Sequence, residues 1–156
     1  MHYNNLELIQ TTYPFFELLN SQSAWHSSDK NYPLGSIKND NLNIIATNNW
    51  LNKEIIEFTS ISHAAKILKG IQRNWINTPT RIHRRSNLIN EALPVIKNRP
   101  IKFGTELPNS PLGHWCLLEE NKMLFSSACT SKTPNGQYHF EEDKISPPSR
   151  AYLKLW

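Results

Sequence analysis

Residues 113–128 read GHWCLLEENKMLFSSA. Two apolar runs lie on either side of a short polar joint, Glu119 to Lys122. A pair of such runs around a tight polar turn is the pattern of a β-hairpin. It is the clearest structural signal in the chain, and the rest of the reading works outward from it.

Upstream lie two helical patterns. HRRSNLINEAL (83–93) places Leu88, Ile89, Ala92 and Leu93 on one stripe, and Pro94 closes it. SHAAKILKG (62–70) places Ile61, Ala64 or Ala65, and Leu68 at helical spacing. Ser60 and Ser62 are candidate caps for that helix, and Gly70 is its expected end. Between the two helices, IQRNWINTPT (71–80) reads as a strand entering a loop at Pro79. IKFG (101–104) is a short strand candidate. Earlier still, NLNIIAT (41–47) and KEIIEFT (53–59) are short, β-branched and bounded by Asn, so two paired strands are expected. The polar stretch 21–40 reads as loop with a turn at Pro33-Leu34-Gly35, and TTYPFFELLNSQ (11–22) as one short helix after Pro14. Beyond the hairpin, 130–146 is polar and carries Gly and Pro. Strands and helices mix without a regular alternation, which predicts an α+β (mixed α/β) fold of small sheets packed with short helices.

Charge is distributed unevenly. The chain of 156 residues has a net charge of +4. Residues 66–102 hold nine Lys or Arg against the single acid Glu91, while the segments on either side are net acidic. Clustering on this scale points to a polyanionic partner. Arg81, His83, Arg84 and Arg85 gather at the start of the second helix, where free N–H groups and the helix dipole favour phosphate. Lys66, Lys69 and Arg73 add cations upstream. Trp75 is either a stacking face for unpaired bases or an ordinary core aromatic. The competing reading of the patch is a solvated or internally paired face, or a surface that docks an acidic protein.

Enzyme chemistry is hard to find. The six His form no HExxH or other metal spacing, and Cys116 and Cys129 do not complete a zinc site. His114 and Cys116 lie two apart on a predicted strand, so they share a face. An ordinary small Cys on a half-buried strand is the favoured reading over a thiol–imidazole pair. The five glycines make neither GxGxxG nor GxxxxGK, so no nucleotide or S-adenosylmethionine loop is expected. No apolar run reaches a membrane span and the N-terminus has no signal-peptide pattern, so a reduced, cytoplasmic setting is expected.

The closing residues, SPPSRAYLKLW (146–156), hold PSRAYLKL (148–155). This string resembles the segment that opens the catalytic domain of FtsJ-like ribose 2′-O-methyltransferases. There a Ser-Arg pair precedes a helix whose Lys is the first member of a Lys–Asp–Lys–Glu tetrad. The resemblance carries over to Ser149, Arg150 and Lys154. AAKILKGIQRNW, HRRSNLINEALP and the hairpin occur upstream in the order seen in the RlmM-type branch, which modifies 23S ribosomal RNA. What the resemblance implies is a lobe over 1–58, a THUMP-like RNA-binding domain over 59–140, and a linker with the first helix of a Rossmann-like methyltransferase domain over 141–156. It implies ribosomal RNA and the chain's own C-terminal methyltransferase domain as partners. S-adenosylmethionine would be a cofactor of the full-length parent only. Lys154 would orient the 2′-hydroxyl and stabilise its alkoxide in that parent. The other tetrad members do not occur in these residues, so the expectation is a recognition module without turnover of its own.

Overall fold

The computed structural model describes residues 8–10, 25–26, 34–37, 48–97, 99–102, 104–107 and 109–141. The described residues form a mixed α+β arrangement with two four-stranded sheets and two helices on one of them. In chain order the elements are β1 (Leu8–Gln10), β2 (Trp25–His26), β3 (Leu34–Ile37), β4 (Asn48–Trp50), β5 (Lys53–Glu57), α1 (Ile61–Ile71), β6 (Trp75–Asn77), α2 (His83–Glu91), β7 (Gly113–Glu119) and β8 (Lys122–Ser126).

The expected hairpin is β7–β8. It pairs antiparallel from His114 opposite Ser126 to Glu119 opposite Lys122, with a bulge between Leu117 and Glu119. Lys122 and Glu119 make an ion pair of 3.7 Å at its tip. Alternation along the two strands divides the sheet into two faces. Trp115, Leu117, Met123 and Phe125 point to one side, with Ala64, Ala65, Leu68, Ile89 and Leu93 of the helical layer packed on them. Cys116 and Leu124 point to the other, where Trp50 covers them. Both faces are buried, and for that reason the two runs are apolar throughout rather than alternating.

The sheet order is β5-β8-β7-β6. β5 is antiparallel to β8, β8 to β7, and β6 runs parallel to β7. Hence β5, β6 and β7 all point the same way. Each helix follows one of these strands at its C-terminal end, so both helices begin at the same end of the sheet. The Phe58 N–H donates to the Asn121 carbonyl there at 2.9 Å, fixing the hairpin turn beside the start of α1.

α1 is capped by Ser60, whose Oγ accepts from the His63 N–H at 3.1 Å. It runs one residue past Gly70, to Ile71. Its end is closed by the Gln72 N–H, which donates to the Leu68 carbonyl at 3.2 Å, and by Trp75, whose indole N–H lies 2.8 Å from the Leu68 carbonyl and 2.9 Å from that of Gln72. The Trp75 ring also meets Phe125 edge-on, with centroids 5.8 Å apart.

The expectations differ from the structure at several points. Residues 71–74 do not join the strand at Trp75, because Ile71 still belongs to α1 and the chain turns at Gln72–Asn74. β5 finds its partner in β8, a non-local pairing that neighbouring sequence does not reveal; NLNIIAT lies outside the described residues. Among the described residues of IKFG, Ile101 forms a bridge to Phe140, with the Ile101 N–H donating to the His139 carbonyl and its carbonyl accepting from the Glu141 N–H. Within 21–40, residues 25–26 and 34–37 are strands, and Leu34-Gly35 belongs to β3 rather than to a turn. They join β1 and β4 in the order β2-β3-β1-β4. β4 also lies beside the segment that follows β8, where Trp50 bridges Cys129. Leu88, placed on the α2 stripe, is 42% exposed, whereas Ile89 and Leu93 are buried. The helix expected over 11–22 lies outside the described residues.

Gly113 begins β7 under the Trp75 ring. A Cβ there would stand 2.5 Å from Trp75 Cζ3, and closer still to Gln72 Nε2. Gly113→Ala is therefore expected to lower the unfolding free energy by about 1–3 kcal/mol, read as a lower urea midpoint at unchanged slope. An unaltered midpoint would show that Trp75 is free to move.

Candidate nucleic-acid interface

α2 begins without the usual safeguards. Its N-cap is Ile82, no side chain caps the first turn, and no acidic side chain lies in it. Thr80 Oγ1 reaches only the Ile82 N–H, at 3.4 Å. The first turn therefore presents backbone N–H groups and partial positive charge, with Arg84 and Arg85 in the same turn. Exposed cations at this end of a helix cost about 0.3–1 kcal/mol each.

The four residues of the cluster divide by environment. Arg85 is half-buried; its guanidinium Cζ stands 5.5 Å from the Phe58 ring centroid, and Nη2 donates to Asn121 Oδ1 at 2.7 Å. Arg85 thus locks the helix start to the hairpin turn, a structural task within the fold. Arg81, His83 and Arg84 are exposed. They line a shallow depression of about 470 Å³ together with Arg85, Ile61, Ile82, Leu88 and Glu120. Glu120 supplies the one acid of this lining, from a position remote in sequence.

The remaining residues of the basic segment lie elsewhere. Lys66, Lys69 and Arg73 are exposed. Lys69 and Arg73 lie at or beyond the C-terminal end of α1, and so at the opposite end of the helical layer from Arg84. The eleven residues of α1 span about 16 Å. The positive segment is therefore two separated groups, with Lys66 between them. Trp75 is 2% exposed and sits in the core, so it has no face open to a base; its indole is used to end α1. Lys154, with Ser149 and Arg150, lies outside the described residues.

No family model matches this sequence, and neither a curated protein nor a solved structure matches it.

His114 and Cys116 do share a face of β7, as their spacing requires, but that face is sealed. Burial pushes the Cys116 thiol up to about 12 and that of Cys129 to about 11. Neither supplies a thiolate at neutral pH. Burial also lowers His114 from 6.5 to about 4. Its Nε2 accepts from the Asn135 N–H at 3.2 Å, which assigns the proton to Nδ1. The Trp50 ring lies 5.9 Å away, tilted by 44°. This is a neutral core histidine beside an inert thiol.

Neither strand-to-helix turn, 58–60 or 78–82, contains a glycine. Among the described residues no three His, Cys, Asp or Glu gather at one point, and no helix is long and apolar enough to cross a membrane.

One aromatic feature escapes the sequence reading. Tyr138 and Phe140 stack with rings 8° from parallel and centroids 5.9 Å apart, and they are 52% and 38% exposed. The available signal was their alternation in Tyr-His-Phe, which puts both rings on one side of an extended segment.

Neutral His114 makes the fold acid-sensitive. Its folded pKa lies below the unfolded one, so its contribution is complete above pH 6.5 and is lost as pH falls towards about 4. His114→Gln keeps an acceptor for the Asn135 N–H and cannot titrate. Urea midpoints should converge for wild type and variant as pH falls across that window, closing a difference of up to roughly 3 kcal/mol. Parallel profiles would show that His114 already titrates normally in the fold.

Proposed function

We propose that the helical layer binds structured RNA through its phosphates, as the RNA-recognition region of an S-adenosylmethionine-dependent 23S ribosomal RNA 2′-O-ribose methyltransferase. The observation that supports it most is the first turn of α2, where Arg81, His83 and Arg84 stay exposed around an uncapped, positively polarised helix end. Such an end tolerates cations poorly unless an anion offsets them. Arg84 would make charge-assisted contacts with a phosphate there. Lys66, Lys69 and Arg73 would follow the backbone farther along the layer.

The methyltransferase part of the reading rests on the PSRAYLKL resemblance, and on the order of the upstream segments. In it, a THUMP-like region over 59–140 holds ribosomal RNA while a separate catalytic domain of the same parent binds the methyl donor. Lys154 would then act at the ribose from the start of that domain.

Arg84 is the residue to change, because Arg85 is tied to Phe58 and Asn121. Arg84→Ala should weaken binding of a ribosomal RNA stem-loop about 3- to 10-fold near 50 mM salt, and reduce the salt slope by about 1. Fluorescence anisotropy at several salt concentrations measures both. Undiminished affinity, or no RNA binding at low salt, would sink the reading. Capture of an acidic protein with indifference to RNA would favour docking instead.

A further inference from the structure

The stacked pair Tyr138–Phe140 borders a second concavity, of about 450 Å³, which is unconnected with the α2 cluster. Its lining is Glu106, Leu107, Asn109, Thr130, Lys132 and Tyr138. That volume falls within the range of small-molecule sites, about 300–1,000 Å³. The chemistry is mixed in a particular way. Phe140 lies parallel to Tyr138 and holds the phenol ring in place while that ring remains half exposed. Leu107 adds apolar surface. Lys132 Nζ donates to Asn109 Oδ1 at 2.6 Å, which occupies the amide oxygen and leaves the amide NH₂ as a donor to a ligand. Glu106 supplies an acceptor. The Thr130 hydroxyl accepts from the Asn49 N–H at 2.8 Å and keeps its own proton to give.

A flat aromatic face, a donor, an acceptor and an ammonium group within one shallow cavity suit a nucleotide. The ring stacks on the base, Asn109 and Glu106 meet its edge, and Lys132 meets its phosphate. We infer that this cavity is a binding site for a single unpaired nucleotide. A carboxylate cannot donate, so Glu106 meets a donor on the base edge, an amino group or a ring N–H.

The cavity also has a place in the fold. Asn74 Nδ2 lies 3.4 Å from the Pro111 carbonyl, two residues from Asn109. Asn109 therefore lies near the end of the molecule that carries Arg73. In the RNA-bound protein, a strand that leaves a duplex on the helical layer would reach the cavity from this end. The macromolecular source of the nucleotide rests on the RNA reading; the site itself does not.

The test uses the full chain and three ligands: a free ribonucleoside 5′-monophosphate, a short single-stranded oligoribonucleotide, and a blunt RNA duplex. Tyr138→Ala should weaken the single strand about tenfold, the order expected for one lost base–aromatic stack. Tyr138→Phe, which keeps the ring, should restore it, and the duplex should bind both variants as it binds wild type. NMR titration should shift signals of Thr130, Lys132 and Tyr138 with a ribonucleoside monophosphate, and less in Tyr138→Ala at equal concentration. Nucleotide binding without RNA binding would uphold the cavity and defeat the RNA reading. Equal single-strand affinity of wild type and Tyr138→Ala, or no shift with any monophosphate, would overturn the inference.

Discussion

The structure depends on one aromatic side chain. Trp75 stands at the point where α1 ends, β6 begins and β7 passes alongside. Its indole N–H satisfies two carbonyls at the end of α1. Its ring rests on Gly113, the one position of β7 where a side chain would collide with it. Its edge meets Phe125 on β8. The Leu68 carbonyl also accepts the Gln72 N–H at 3.2 Å, so the indole adds to a helix end already closed by backbone and ties it to β6. With Trp75 seated, β6 lies parallel to β7, and α2 must begin at the same end of the sheet as α1. The position of the basic cluster follows from that geometry.

Arg84 and Arg85 are adjacent in sequence yet serve different ends. Arg85 turns inwards, to Phe58 and Asn121, and anchors α2 to the hairpin turn. Ser86 reinforces this from the other side by donating to Asn77 Oδ1 on β6 at 2.8 Å. The helix start is thus held by an Arg and a Ser that face the fold, which leaves Arg81, His83 and Arg84 to face outwards. Internal pairing, one of the two readings of the patch, holds for Arg85. His83 and Arg84 remain exposed at the helix start.

Much of the fold was legible because it is local. The hairpin, the Ser60 cap and the stripe of α1 are written in residues a few positions apart. The parallel β6–β7 pairing was not, because it needs Trp75 opposite Gly113 across an intervening helix. The same non-locality hid the division of the basic segment. Lys69 and Arg84 lie on one continuous positive stretch of sequence, but two helices that start together put its halves at opposite ends. Composition records charge along the chain and not in space. Trp75 had two readings, core aromatic and stacking face, and the core one holds, with the ring buried against Gly113 and Phe125. Tyr138 and Phe140 were overlooked because the polar stretch around them has no periodicity to draw attention.

The pairing of β5 with β8 has a consequence during synthesis. Glu57 pairs with Lys122, and Lys53 with Ser126. The chain leaves the ribosome from its N-terminus, so β5, α1, β6 and α2 all emerge before the hairpin that covers them. At about 5–20 residues per second the wait lasts on the order of several seconds. Throughout it, Leu68, Trp75 and Ile89 have no sheet to bury against, and β5 has no neighbour for its backbone groups. Charges at Lys53, Glu54 and Glu57 flank its two isoleucines, a composition that discourages wrong strand pairing in that interval. The edge strand is thus protected by its own sequence until its partner is made.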